Sequence, residues 1–134
     1  MSPAGAGAVA TPSIAVLPLA DASPGHDQGY LADGIAEEIL NALARVEGLR
    51  VTGRTSSFYF KGKDVRLAGI GRELRVAHVL EGSVRKSGPR VRVTAGLVRV
   101  SDGSRLWART FDCEVSDVFV LQDEIARAVA EALR

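Results

Sequence analysis

The sequence has one cysteine, two histidines and few aromatic residues, and each of these shortages excludes a class of protein. With Cys113 alone, the chain cannot form an internal disulfide or a metal site that needs several cysteines. Neither His26 nor His78 has a metal-binding partner four residues away, and neither lies in a nucleophile signature. We therefore expect both histidines to be non-catalytic.

Long apolar runs are also missing. No run approaches the roughly 18 residues of a membrane span, and no basic region precedes an apolar core as in a signal peptide. Residues 1–12 are small and include two prolines, so we expect a disordered linker remnant there. Gly5, Gly7 and Ala10 match a dinucleotide-binding pattern, but that motif needs a preceding strand and a following helix, and neither fits before Pro12.

A phosphate-binding loop is not indicated either. The run Lys61-Gly62-Lys63 resembles the end of such a loop, yet no glycine lies five positions before Gly62. Asp64 stands where a serine or threonine would hold magnesium. The sequence therefore does not predict an NTPase.

Paired carboxylates give no catalytic site. The neighbours Glu37 and Glu38, like Asp123 and Glu124, point in different directions on predicted helices, so they cannot act as an acid and base across one bond. We assign them to solvated helix faces. From these shortages we predict a chain that is not an enzyme and that has no cofactor, metal or catalytic residues.

The composition that remains is that of an ordinary globular protein. Apolar residues make up 46% of the 134 residues and charged residues 25%. This balance and this length favour one domain, which we place over residues 13–134.

The hydrophobic pattern predicts eight elements in the order β-α-β-α-β-β-β-α. The first helix has Leu31, Ile35, Ile39, Leu43 and Val46 on one face, with Gly48 placed to end it. The other elements are strands at 13–19, 49–54, 77–85, 90–100 and 104–111, a turn at 55–60, a helix begun near Asp64 and a helix begun at Ser116 or Asp117. We expect an α/β fold of the α+β type, with a mixed sheet of about five strands and helices mainly on one face.

Charge is unevenly distributed along the chain. Residues 1–47 carry a net charge of −5, residues 48–109 carry +10, and residues 110–134 carry −4. The basic middle could face nucleic acid or another anionic partner, or it could be neutralised by the acidic helices. The second interpretation is favoured because those helices should pack on the sheet and because few aromatic residues are present for base stacking.

Four ordered blocks give the chain a family resemblance: SIAVLPLAD at 13–21, LADGIAEEILNALARVEGLRV at 31–51, GRTSSFYFKGKDVRLAGIGRELRVAHVLEGSVRKSG at 53–88 and LWARTFDCEVSDVFVLQDEIARAVAEAL at 106–133. Together they resemble the TolB amino-terminal-like (FlgO-like) domain. Domains of this kind occur in bacterial signalling proteins beside a class III nucleotide cyclase, a CadC-type winged-helix regulator or a Ser/Thr kinase. Tetratricopeptide repeats commonly follow them.

The resemblance implies a non-catalytic sensory or protein-interaction module that couples such an effector to downstream repeats. Its expected partners are adjacent domains of a parent chain, another protein or a second copy of itself. The parent would be periplasmic or membrane-associated, and a cytoplasmic location stays open. The alternative function is a nucleic-acid-binding module that uses residues 48–109.

Site residues follow from the resemblance and from the basic middle. The family's recurrent polar positions fall on Asp33, Gly34, Arg54, Ser56, Ser57, Lys61, Gly62, Glu81 and Gly82. We expect the three glycines to serve backbone geometry, and Arg54 to pair with Glu81 or Asp33. Trp107 could stack on a ligand, but packing in the core is favoured. The predicted interaction residues are Arg54, Ser56, Lys61, Glu81, Arg85, Arg92, Trp107 and Arg109.

Overall fold

A computed structural model describes residues 12–58 and 66–133. Except for Pro12, the expected linker at 1–12 lies outside the described residues, and so do Lys61, Gly62 and Asp64. The strands are β1 (Ser13–Val16), β2 (Ala20–Asp21), β3 (Arg50–Val51), β4 (His78–Ser87), β5 (Arg90–Arg99) and β6 (Arg105–Glu114). The helices are α1 (Gly29–Ala44), α2 (Arg54–Phe58), α3 (Leu67–Leu74) and α4 (Val118–Ala132), with a 3₁₀ turn at Val115–Asp117 before α4.

All six strands belong to one mixed sheet with the order β3-β1-β4-β5-β6, and β2 pairs with β4 beyond the end of β1. β1 is parallel to β3 and β4, whereas β4, β5 and β6 form an antiparallel meander. The predicted α+β class and the meander are confirmed. The strand expected at 13–19 ends earlier, at Val16, and β2 follows only at Ala20, because Pro18 between them has no N–H to donate to a sheet ladder.

The main core lies between one face of the sheet and the helices α1 and α4. The apolar stripe of α1 includes Ile35, Ile39 and Leu43, and each of these side chains is almost completely buried. From α4, Ile125 and Val129 enter the same cluster. The apolar side chains that recur every 3.6 residues on the two helices therefore cover the strand face on which every second side chain is apolar.

A second, smaller cluster places α3 on the opposite face of the sheet. Ile70 packs there with Val79, Val98 and Val100. Gly71 allows this approach, because a Cβ at that position would lie 2.1 Å from Cγ1 of Val100. The expectation of helices mainly on one face holds for α1 and α4, with α3 as the exception.

Local boundaries differ from the prediction in two places. Residues 54–58 form the short helix α2, where we expected a strand end and a turn. α1 ends at Ala44 with Arg45 as its C-cap, so Gly48 does not cap it. Gly48 has φ of +81° and instead supplies the left-handed residue of the turn that leads to β3.

Candidate interaction surface

The antiparallel meander has one face under α1 and α4 and another that is largely exposed, which we call the open face. α3 covers only the end of it near Val79 and Val98. Strand alternation places on the open face Glu81, Ser83, Arg85 and Ser87 of β4, Arg90, Arg92, Thr94 and Gly96 of β5, and Arg105, Ala108, Thr110, Asp112 and Glu114 of β6. Polar side chains dominate this surface, and most of them are solvent-exposed.

Two arginines lie directly opposite each other on the open face. The β4–β5 register pairs Arg85 with Arg92, and the β5–β6 register pairs Arg92 with Asp112. Nε of Arg92 lies 2.8 Å from Oδ1 of Asp112, so this carboxylate neutralises Arg92. Arg85 is left beside a like charge, an arrangement that destabilises a cross-strand pair.

A shallow depression of about 330 Å³ surrounds this pair. We call it the arginine depression, and its lining residues are Arg85, Ser87, Arg90, Val91, Arg92 and Asp112. Its three guanidinium groups face one carboxylate, so the site favours an anion.

Glu81 lies on the open face, away from the arginine depression. Its Oε2 atom is 3.5 Å from Nη2 of Arg105. Of the two partners expected for Arg54, Glu81 is therefore wrong, since the Nε atom of Arg54 lies 3.1 Å from Oε1 of Glu37. The physical reason is that Arg54 begins α2, next to α1, whereas Glu81 lies on the other face of the sheet.

Trp107 and Arg109 lie on the helix side of β6. Trp107 is half-buried against the main core, with its ring centroid 6.2 Å from that of Phe111. Arg109 lies over the Phe111 ring at 4.6 Å and within 3.6 Å of Glu124 on α4. The core-packing interpretation of Trp107 is confirmed, and the sheet separates both residues from Arg85 and Arg92.

The remaining predicted residues belong to a third region. Arg54 begins α2, with its guanidinium carbon 4.6 Å from the Phe58 ring centroid. Ser56 is exposed on α2, and Ser57 is completely buried. Lys61 is outside the described residues. The predicted set is therefore spread over the open face, the helix side of β6 and α2, and it does not form one site.

Ion pairs neutralise part of the positive charge of residues 48–109. Arg54 reaches Glu37 on α1, Arg92 reaches Asp112, and Arg109 reaches Glu124 on α4. Each of these pairs joins the basic middle to one of the two acidic segments. Arg85 and Arg90 form no ion pair among the described residues, so the open face keeps unneutralised positive charge.

The described glycines at the family positions differ in their role. A Cβ on Gly82 would lie 1.9 Å from the backbone oxygen of Thr94, so the strands need a glycine there. Gly34 lies in α1 with open space around it, and its conformation does not require glycine. The expected geometric role thus fits Gly82 and not Gly34.

Three further findings concern the Cys113 thiol, metal binding and membrane crossing. Burial raises the pKa of the half-buried Cys113 thiol, which keeps it protonated and weakly nucleophilic. Within residues 12–58 and 66–133, no group of three or more His, Cys, Asp or Glu side chains is placed to hold a metal ion. In the same ranges, no helix combines the length and the apolar character that a membrane crossing requires.

The predicted interaction set missed Arg90, Ser87 and Asp112, which complete the arginine depression. Arg90 has the same parity as Arg92 along β5, so strand alternation alone could have placed both on one face. Ser87 has the same parity as Arg85 along β4, so the same alternation places it on that face. Asp112 needed the register of the β5–β6 hairpin, which a local pattern does not specify.

Comparison with known proteins gives one relative by sequence, and no family model matches the chain. That relative, "Putative adenylate cyclase 3" of Rhizobium meliloti (strain 1021), is 46% identical over 125 residues. The match covers 93% of this chain and 21% of the relative, so the chain corresponds to about a fifth of a larger protein.

Solved structures show the fold. TolB from Acinetobacter baumannii superposes with a TM-score of 0.68 at 14% identity, over 93% of this chain and 29% of that chain. Lipoprotein GNA1162 from Neisseria meningitidis superposes with a TM-score of 0.65 at 18% identity, over 90% of this chain and 99% of that chain. The LpoB C-terminal domain from Salmonella enterica superposes with a TM-score of 0.60 at 18% identity, over 81% of this chain and 87% of that chain. The chain shares the fold of these three proteins.

Proposed function

We propose that this chain is a non-catalytic protein-interaction module of a bacterial signalling protein, and that it couples a nucleotide cyclase to neighbouring domains. The observation that carries the proposal is the 46% identity to a segment that makes up 21% of a protein named as an adenylate cyclase. A match of this extent identifies the equivalent segment, and most of the relative lies outside it. The catalytic machinery belongs to that larger part.

The local chemistry supports a binding role over a catalytic one. The ionisable side chains on the described surface are mostly exposed, and several of them form ion pairs with one another, as Arg92 does with Asp112 and Arg109 with Glu124. Catalytic groups instead have perturbed pKa values and converge in a cleft. The parent protein belongs at the cell envelope in this proposal, as one structural neighbour is a lipoprotein by name.

A domain exchange in the Rhizobium meliloti relative tests the proposal. Three proteins are compared: the intact relative, a form without the matching segment, and a form in which this chain replaces that segment. We expect all three to form cyclic AMP from ATP, with a rate or oligomeric state that changes on deletion and returns on replacement. Cyclic AMP assays and sedimentation provide the two measurements.

If the deleted form and the intact relative have the same activity and the same oligomeric state, the segment couples nothing. As a control, this chain alone is incubated with ATP and magnesium. Formation of cyclic AMP by the chain alone would show that the segment is catalytic.

A further inference from the structure

We propose that the arginine depression is a docking site for an extended, acidic segment of a partner protein, whose carboxylates are bound by Arg85 and Arg90. This inference rests on the proposed function as a protein-interaction module, and it names the chemistry of one partner. The partner contributes acidic side chains at alternate positions of a strand-like segment.

Unneutralised charge is the first support. Arg85 lies opposite Arg92, and the only carboxylate lining the depression, that of Asp112, is already bonded to Arg92. Arg90 lies two residues from Arg92 on the same face and opposite Glu114 in the β5–β6 register, and no ion pair joins Arg90 to Glu114. The lining side chains, with three guanidinium groups and the Asp112 carboxylate, carry a charge of +2, and the neighbouring Glu114 lowers this to +1. A carboxylate accepts two parallel hydrogen bonds from a guanidinium, which makes it a matching ligand.

The spacing of these arginines fits an extended chain. Residues i and i+2 of a strand lie about 6.8 Å apart on one face, which is the repeat of alternate side chains in any extended segment. Arg85 lies opposite Arg92 in the β4–β5 register, so Arg85 on β4 and Arg90 on β5 are separated by one such step along the strands and by one strand spacing of about 4.8 Å across them. An extended acidic segment that crosses β4 and β5 obliquely therefore presents alternate carboxylates to these two arginines.

The open shape of the depression favours a macromolecular partner over a small ligand. Pockets for small molecules enclose most of the ligand surface. The Arg92 side chain is 60% exposed even though it is bonded to Asp112, so the site encloses little. Next to it, exposed Thr94, Ala108 and Thr110 continue a surface of small side chains on which a peptide can lie.

The same face is poorly suited to nucleic acid. Single-stranded nucleic acid is held by aromatic side chains that stack on bases. On β6, Trp107 and Phe111 both point toward the helices, where they join the main core. The open-face positions of the meander carry no aromatic residue, so the positive charge there acts without stacking.

Fluorescence anisotropy with the intact 134-residue chain tests the docking site. The probes are two labelled decapeptides, one alternating Glu and Ser and the other alternating Lys and Ser. We expect the acidic peptide alone to bind, with an affinity that falls as salt is raised. Substituting Arg85→Ala and Arg90→Ala together should weaken binding by about tenfold or more, since each removes charged hydrogen bonds.

A matched control separates the site from net charge. The double variant Arg45→Ala and Arg127→Ala removes two exposed arginines from α4 and the end of α1, and so changes the total charge by the same amount. We expect it to keep the wild-type affinity. A double variant with Arg85→Lys and Arg90→Lys should bind with intermediate affinity, because the charge stays and the bidentate geometry is lost. Circular dichroism checks that each variant is folded.

Several results would overturn the inference: equal weakening by both alanine variants, no preference for the acidic peptide, or tighter binding of a ten-residue oligothymidylate. Displacement of the peptide by low millimolar inorganic phosphate would show a site for a single small oxyanion and would also overturn it. Each of these leaves the domain-exchange result untouched. A failed docking site is therefore distinguishable from a failed proposed function.

Discussion

At the residue scale, Asp102 shows how one side chain shapes a turn. Its Oδ1 atom accepts a hydrogen bond from the backbone N–H of Ser104 at 2.9 Å, and its Oδ2 atom accepts one from Nη1 of Arg99 at 3.0 Å. Both bonds lie within the tight connection between β5 and β6, which contains Gly103 with a φ of +73°. Because they favour the ionised carboxylate, mainly through Ser104, they lower the pKa of Asp102 to about 2.

This lowered pKa predicts a specific loss of stability in acid. A carboxylate whose folded-state pKa lies below its unfolded value of about 3.9 stabilises the fold above that value. The stabilisation is lost as pH falls from about 4 through the folded-state pKa of about 2. Urea unfolding across this range should show that Asp102→Asn removes part of the pH dependence. Asp123→Asn, an exposed carboxylate on α4, is the matched control. Identical pH profiles for Asp102→Asn and wild type would contradict the prediction.

At the element scale, two glycines of the family pattern predict opposite effects. Gly82→Ala should destabilise the protein by roughly 1–3 kcal/mol, because the new Cβ meets the Thr94 backbone and the strands must separate. Gly34→Ala should stabilise it by roughly 0.5–1 kcal/mol, because α1 has open space there and alanine lowers the entropy of the unfolded chain. Chemical denaturation measures both. Changes of the same sign in the two variants would show that the described backbone geometry is wrong.

The elements also differ in how well short-range patterns predict them. α1 and α4 have long apolar stripes, and both were predicted near their observed positions. α2 has five residues and forms where Arg54 can reach Glu37 and Phe58 can pack on the main core. Those contacts come from α1 and the sheet, so a local pattern does not contain them.

At the scale of the whole molecule, α1, α4 and the sheet share one core and should unfold together. Ile39 on α1 is completely buried in that core. Ile39→Ala should cost about 2–5 kcal/mol from lost burial and the cavity left behind. Far-ultraviolet circular dichroism and Trp107 fluorescence should report coincident transitions in wild type and variant.

The control for the core substitution lies on α4. Val120 is 68% exposed, and Val120→Ala should change stability by less than about 0.5 kcal/mol. If Trp107 fluorescence changed at a lower denaturant concentration than the helical signal, β6 and α4 would be an independent unit. That result would rule out a single shared core.

The class of the fold, the two long helices and the antiparallel meander were predictable from the residues alone, because these features depend on side-chain periodicity within a short window. The sequence also showed which catalytic and phosphate-binding motifs are missing from the chain. Which residues come into contact depended on how the elements pack. Strand register placed Arg85 opposite Arg92, and helix packing separated Trp107 and Arg109 from them. Such contacts join residues that are distant along the chain, and their geometry depends on the packing of the whole core.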